Sequence, residues 1–410
     1  MSSEPAGQLA SLIASASAAF ESGDLPAAEN SIQLAFELAG GNLPAQACWI
    51  RGLIRSRQGR YAEALSFLEP LIGIAGLRNY AALYKALFLA AWGAREPAKA
   101  VAAGRRALEI EPMDHALRND LLGQMAVRAI PITEGDLEAA LRSLASVPLS
   151  PQFPNIYRVC ALTLATKGEK DRAFDLYYPV LEQLVRRKDG RIAWYNYASV
   201  EEGADMESQS QRFREGEEAI EAEFAHVSGE LALSPGDSVA DIGGAGGLYS
   251  KRLAAIAREV LLTDVSEALV EKASRQLEDL RNVTCLRHDI TVEPLPTPVD
   301  KALMCRVTPM LDGWDSFAHA MRNLHGSLKA GGRAFVTNNY DLNGAARALR
   351  HALEEPQDRY STLWMYENML WLDPESVTRL ATEIGFGQST ILNRKQVAGG
   401  LGAFDLLLVK

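Results

Sequence analysis

Residues 231–247 read LALSPGDSVADIGGAGG, and a helix-spaced run opens at Leu248. Ser238–Ile242 (SVADI) is a short β-rich segment, and the glycines behind it let a backbone approach a ligand closely. A dinucleotide-binding turn would read G-x-G-x-x-G. Counting from Gly244, the third position is Tyr249; counting from Gly243, the second is Ala245. Asp241, inside the turn, would also repel a pyrophosphate, whereas a ligand bearing an ammonium group tolerates it. The turn therefore points away from dinucleotides and toward an amino-acid-bearing ligand.

Outward from this turn, Val260–Asp264 (VLLTD), Val283–Leu286, Lys301–Cys305 and Arg333–Thr337 are further candidate strands. Helical stretches separate them, which implies βαβ crossovers and a parallel sheet. Ligands on such sheets bind outside the carboxyl ends of the strands, at the switch point. Functional residues are expected just after each strand.

The run VADIGGAGG resembles the first motif of class I S-adenosylmethionine-dependent methyltransferases, and LALSPGDSVADIGG reads like that family's approach to it. In the family pattern glycines stand two, four and six places after the acid. Gly243 and Gly247 match, and Ala245 replaces the middle one. Asp264, 23 residues after Asp241, is similar to the second motif's acid. The resemblance implies that it accepts both ribose hydroxyls, at about 1.5–3 kcal/mol per charge-assisted bond. Asp289, in Arg287-His288-Asp289 after the third strand, stands where the family places an acid near the adenine amino group. Leu328–Arg333 resembles the family's helix-to-strand turn before the fifth strand, and Phe404–Val409 its last, antiparallel strand. The implied cofactor is S-adenosyl-L-methionine, held by Asp241, Gly243, Gly244, Ala245, Gly247, Asp264, Val265, Asp289, Ile290 and Cys305.

Methyl transfer from a sulfonium is an in-line displacement, so positioning in a dry site dominates. A base is needed only when the nucleophile arrives protonated. Plant-type small-molecule O-methyltransferases carry a His base after the fourth strand; the aligned place here is Pro309. Metal-dependent relatives use an Asp there and Asp-Asn after the fifth strand. Here the fourth strand ends in Cys305-Arg306 and the fifth in Asn338-Asn339-Tyr340, so no divalent metal is expected. No catalytic base is assigned. The expected substrate pocket is ringed by Arg306, Asn338, Asn339 and Tyr340. Arg306 either clamps a substrate carboxylate or phosphate or pairs with Asp312. Tyr195 and Tyr197, from the junction between the halves, and Trp364 and Tyr366, from a helical insertion over residues 341–385, are expected to cover it.

Apolar residues at helical spacing fill residues 8–183. A small residue followed five places later by alanine recurs: Gly23 with Ala28, Gly59 with Ala64, Gly135 with Ala140 and Gly168 with Ala173. Ala100 fits the same place, with Arg95 in the glycine's position. Glycine allows the turn between two helices, and alanine lets them approach. The pattern resembles a tetratricopeptide repeat. The expected fold is an α-helical repeat, a tetratricopeptide-like solenoid over 8–183, then a junction and lead-in helix over 184–224. An α/β Rossmann-like class I methyltransferase domain follows over 225–410.

Of the 410 residues 48% are hydrophobic and 23% charged, a composition that excludes a disordered or fibrous chain. Residues 1–200 carry 21 Lys and Arg against 20 Asp and Glu, and the remainder 21 against 32. An acidic second half disfavours nucleic acid, whose binding needs cations to displace counterions. The one basic run, Arg186, Arg187, Lys188 and Arg191, reads as a solvated helix end. No stretch approaches 18 uncharged apolar residues, and no basic residue precedes the apolar part of Met1–Phe20, so neither a membrane span nor a signal peptide is expected. Cys48, Cys160, Cys285 and Cys305 show no Cys-x-x-Cys spacing, which fits a reducing cytoplasm.

The expected activity is methyl transfer to an O or N nucleophile on a peptide, protein or biosynthetic intermediate recruited or enclosed by the array. Two alternatives stand beside it: a methyltransferase of a free small molecule whose array forms a homodimer, and a non-catalytic cofactor-binding adaptor.

Overall fold

The structure, a computed structural model, describes residues 3–146, 149–186, 217–354, 363, 366–396 and 402–410. They belong to two compact units, Met1–Thr163 and Leu164–Lys410.

The first unit is helical. It runs through α1 (Ser3–Glu21), α2 (Leu25–Leu38), α3 (Ala45–Arg57), α4 (Tyr61–Leu68), α5 (Ala81–Gly93), α6 (Pro97–Ile110), α7 (His115–Val127) and α8 (Glu134–Ala145) into α9 (Pro154–Thr166). Three of its helices, α2, α7 and α8, begin where a short polar side chain satisfies an orphan amide. Asp24 accepts from Ala27 N, Asp114 from Leu117 N, and Thr133 and Asp136 form a reciprocal capping box. The recurring alanines Ala28, Ala64, Ala100 and Ala140 lie on α2, α4, α6 and α8 and have no exposed surface. Gly23 and Gly59 take left-handed backbone at the turns between helices, with φ of +83° and +74°. Arg95 adopts the same conformation at +61° despite its side chain. Gly135 departs from expectation: it lies inside the first turn of α8, and the left-handed residue of that repeat is Ala129, at +53°.

In the second unit, α10 (Lys170–Val185) carries the last recurring alanine, Ala173, also fully buried. By spacing α10 belongs with the repeats, yet it packs on α15 (Ala345–Glu354). The Arg350 guanidinium lies 4.0 Å above the Phe174 ring, and the Tyr177 hydroxyl donates to Glu367 Oε1.

After α11 (Glu217–Leu231) comes a Rossmann-like α/β sheet: β1 (Ser238–Ile242), β2 (Glu259–Asp264), β3 (Val283–Arg287), β4 (Val299–Cys305), β5 (Leu328–Asp341), β6 (Trp371–Leu372), β7 (Gln388–Gln396) and β8 (Gly402–Val409). Their order is β3-β2-β1-β4-β5-β8-β7, with β6 paired to β5. All pairs are parallel except those of β8 with β5 and β7. Between the strands lie α12 (Leu248–Ala254), α13 (Glu267–Gln276), α14 (Trp314–Ser327) and, after β6, α16 (Pro374–Ile384).

Side chains alternate between two cores, as the two-residue period of a strand requires. Ala240, Ile242, Ala302, Met304 and Val336 pack on one face with Phe317 and Met321, while Val239, Leu303 and Phe335 pack on the other with Val227 and Leu253. Burial on both faces leaves the strand tips for polar work. The order reverses at β1, whose neighbours are β2 and β4, and such a switch point is where open parallel sheets bind their ligands. Leu328–Gly332, expected as a turn, already belongs to β5. Its register to β4 slips between Val299 and Lys301, and Gly331 there has φ +71°.

Candidate functional site

Beyond Ile242 the chain turns toward the neighbouring strand β2. The amides of Gly243 and Gly244 both donate to Thr263 O of β2, at 2.7 and 3.0 Å. A Cβ on Gly243 would fall 2.4 Å from Val307 Cγ2, and one on Gly244 2.9 Å from Asp241 Oδ2. Gly247, at φ +86°, starts α12 from the left-handed region. Ala245 is also left-handed, at +45°, a conformation that costs a non-glycine residue about 1–2 kcal/mol.

Two carboxylates frame this turn. Asp241 is 1% exposed and accepts the Ser250 hydroxyl on Oδ2 at 2.7 Å. Burial pushes its pKa up to about 6, with the Ser250 hydrogen bonds opposing and the Asp264 charge adding to the rise. Asp264, at the tip of β2, accepts Ser266 N on Oδ1 at 2.9 Å and Ala245 N on Oδ2 at 3.1 Å. Burial raises its pKa against those bonds. A carboxylate has about four acceptor sites, so these amides orient Asp264 without exhausting it. Val265 and Ser266 follow, and Ser266 caps α13.

In the β2–β3 register Asp264 stands opposite Arg287, which places His288, Asp289 and Ile290 just past the neighbouring tip. Asp289 Oδ1 accepts both the amide and the hydroxyl of Thr291, at 2.9 and 2.7 Å. Ile290 is buried, and its carbonyl accepts Asn323 Nδ2 at 2.8 Å. His288 is buried beside the Glu293 carbonyl, 3.0 Å from Nε2. Cys305 ends β4 opposite Thr337, whose hydroxyl lies 3.2 Å from its sulfur.

The residues expected around the substrate separate into different roles. Arg306 takes left-handed backbone, φ +60°, at the same cost of about 1–2 kcal/mol. Its Nη2 lies 3.5 Å from Glu223 Oε2 on α11; Asp312, the structural partner considered from the sequence, accepts the Ser316 hydroxyl. Asn339 does not line a pocket. It is 1% exposed, donates both amide hydrogens to Val336 O and Phe404 O at 3.0 and 3.1 Å, and accepts the Thr308 hydroxyl at 2.6 Å. The cause is the β5–β8 register shift between Val336 and Asn339, which leaves carbonyls that this side chain satisfies. Tyr340 is partly buried, its ring centroid 5.7 Å from that of Trp371, and burial raises its phenol pKa against the opposing Arg306 charge. Tyr366 has no exposed surface and stands edge-on to Trp371, whose Nε1 donates to the Tyr366 carbonyl. It is a support for the wall, not its surface. Asn338 lies in β5, but its side chain, like the whole of Tyr195, Tyr197 and Trp364, lies outside the described residues.

Sequence reasoning missed Ser250 and Glu223. Ser250 was findable: α12 begins at Leu248, so a hydroxyl in its first turn faces back toward β1. Glu223 lies in the lead-in helix among other acids and carries no distinguishing local signal.

Residues 239–332 match a family model described as a methyltransferase domain. Solved structures are similar to this chain at low identity. An N-methyltransferase from Bradyrhizobium japonicum, in complex with S-adenosyl-L-homocysteine, is 16% identical over 57% of this chain and 97% of its own, with a TM-score of 0.36. A magnesium protoporphyrin IX methyltransferase from Synechocystis, with bound S-adenosyl-L-homocysteine, is 15% identical over 52% and 97%, at 0.39. A methyltransferase from Aquifex aeolicus is 18% identical over 45% and 88%, at 0.32. No curated protein matches the chain. The second unit carries a methyltransferase domain over residues 239–332.

Proposed function

We propose that this chain transfers a methyl group from S-adenosylmethionine to an oxygen or nitrogen nucleophile on a peptide, protein or biosynthetic intermediate. The helical array, which we read as tetratricopeptide-like, recruits that acceptor. The observation that carries the reading is the pair of buried acids, Asp241 and Asp264, at adjacent strand tips around a turn where Gly243 and Gly244 leave no room for a Cβ.

The residues present fit the cofactor. Asp264 keeps acceptor sites for ribose hydroxyls, and its orientation is fixed beforehand by Ala245 N and Ser266 N. Asp241, beneath Gly244, puts negative charge where an ammonium group is favoured. Asp289 stands beyond β3 for the adenine amino group, with Val265, Ile290 and Cys305 as flanking contacts. When bound, S-adenosylmethionine supplies an electrophilic methyl on a sulfonium. The chain's contribution is to orient the acceptor and exclude water. Burial holds the Tyr340 phenol above its ordinary pKa, which disfavours it as a base.

Recruitment has its own support. Nine of the ten large apolar side chains exposed among the described residues lie in the first unit, Leu89 at 58% and Val127 at 66% among them. Such a surface suits a docked partner or a second copy.

Calorimetry with S-adenosylhomocysteine tests the cofactor site. Asp264→Ala should weaken binding by about 1.5–3 kcal/mol, since it removes a charged acceptor from two hydroxyls. Unchanged affinity in a folded variant would reject the ribose role.

A further inference from the structure

Arg306 stands at the tip of β4, and the next residue, Val307, closes over Gly243 of the cofactor turn. A non-glycine residue held in left-handed backbone at a strand tip is the kind of local strain that clusters at functional sites. The guanidinium it presents is poorly satisfied. Glu223 is its one acidic neighbour within ion-pair range among the described residues. The 3.5 Å between Nη2 and Oε2 exceeds the 2.7–2.9 Å of a charge-assisted hydrogen bond. Nε is enclosed and has no hydrogen-bond partner. Nε and Nη2 form one edge of the guanidinium fork, the edge that a planar carboxylate or a phosphate engages with two parallel bonds. Glu223 approaches that edge without closing on it. The side chain also keeps 31% of its surface exposed, so a solute reaches it. Cys305, Tyr249 and Tyr340 lie around the same group, which places it among the tips of β4 and β5 and the start of α12.

A structural ion pair explains little of this. A cation needed only to neutralise Glu223 would close to contact distance and would need neither strained backbone nor an unmet donor. The net acidity of the second half of the chain does not oppose the alternative, because charges beyond a Debye length of about 8–10 Å are screened.

We propose that Arg306 anchors an anionic group, a carboxylate or phosphate, on the methyl acceptor, with Glu223 as the loose placeholder that the acceptor displaces. The inference rests on the methyltransferase reading above and narrows its substrate class to acidic acceptors.

The test uses the full chain saturated with S-adenosylhomocysteine and titrated with benzoate, phenyl phosphate and the neutral benzamide. Wild type should bind benzoate or phenyl phosphate at least about tenfold more tightly than benzamide. The stronger of the two anions identifies the acceptor's group. Arg306→Gln should abolish that preference, and Arg306→Lys should keep only part of it, since an ammonium keeps the charge and loses the fork. Glu223→Gln should tighten anion binding several-fold by removing the competing carboxylate, a gain that a purely structural pair would not give. S-adenosylhomocysteine affinity should stay within about twofold in all three variants. No anion preference in wild type, or an undiminished one in Arg306→Gln, overturns the anchor; if Arg306→Gln does not fold, weaker anion binding by Glu223→Gln does so. Failure of wild type to bind S-adenosylhomocysteine overturns the cofactor reading instead, and the benzoate–benzamide comparison without it still decides the anchor.

Discussion

The backbone N–H of Ala245 donates to Asp264 Oδ2 at 3.1 Å, so the glycine turn after β1 and the acid at the tip of β2 form one hydrogen-bonded unit. The bond explains how the site keeps its geometry although alanine stands where the family pattern has glycine. Ala245 is held left-handed at φ +45° because its amide must reach Asp264.

Replacing Ala245 by glycine relieves about 1–2 kcal/mol of left-handed strain and adds about 0.5–1 kcal/mol of chain entropy to the unfolded state. The net expectation is a stabilisation of about 0–1.5 kcal/mol with the Asp264 bond intact. Urea unfolding measures it. A loss beyond about 1 kcal/mol would mean that the alanine methyl packs usefully and that this packing outweighs the strain.

Asp241 links stability to pH. Its pKa is raised to about 6 in the folded chain, against about 3.9 unfolded. A raised acid favours the fold most below the unfolded value, and that advantage is lost as pH climbs through about 6. At pH 8 the buried charge therefore costs on the order of 2–3 kcal/mol. Asp241→Asn should recover stability of that order at pH 8 and almost none near pH 4, while impairing cofactor binding. Equal effects of the substitution at both pH values would remove the buried charge from the account.

The parts of this molecule that could be read in advance are those governed by short-range rules. The strands up to β4 follow from a two-residue period broken by turn residues, and the two acids from the resemblance of the glycine turn and its spacing to a known motif. The alanines at 28, 64 and 100 follow from how closely paired helices must approach. What could not be read depends on register between distant segments. Asn339 looks like any polar strand-end residue until the β5–β8 shift turns its amide inward. Arg306 finds Glu223 on the lead-in helix rather than the nearby Asp312. The helix α10 repeats the alanine pattern of the array, yet its partners are on α15 and at Glu367.

That last relationship yields a prediction of its own. Tyr177 has no exposed surface, and its hydroxyl donates to Oε1 of Glu367, which is 6% exposed. A buried carboxylate needs its donors, so Tyr177→Phe should cost about 1–3 kcal/mol, more than the packing change alone. The segment it secures runs through Tyr366 into β6, where Trp371 pairs with Tyr340. Amide hydrogen exchange over residues 366–372 should therefore accelerate in the variant along with the drop in urea midpoint. Adding Glu367→Gln should return part of the loss, because the buried charge that lost a donor goes with the carboxylate, and a double-mutant cycle would give a coupling of about 0.5–3 kcal/mol. Additive single effects, with exchange at 366–372 unchanged, would mean that α10 only lies against the insertion and does not hold the wall behind Tyr340.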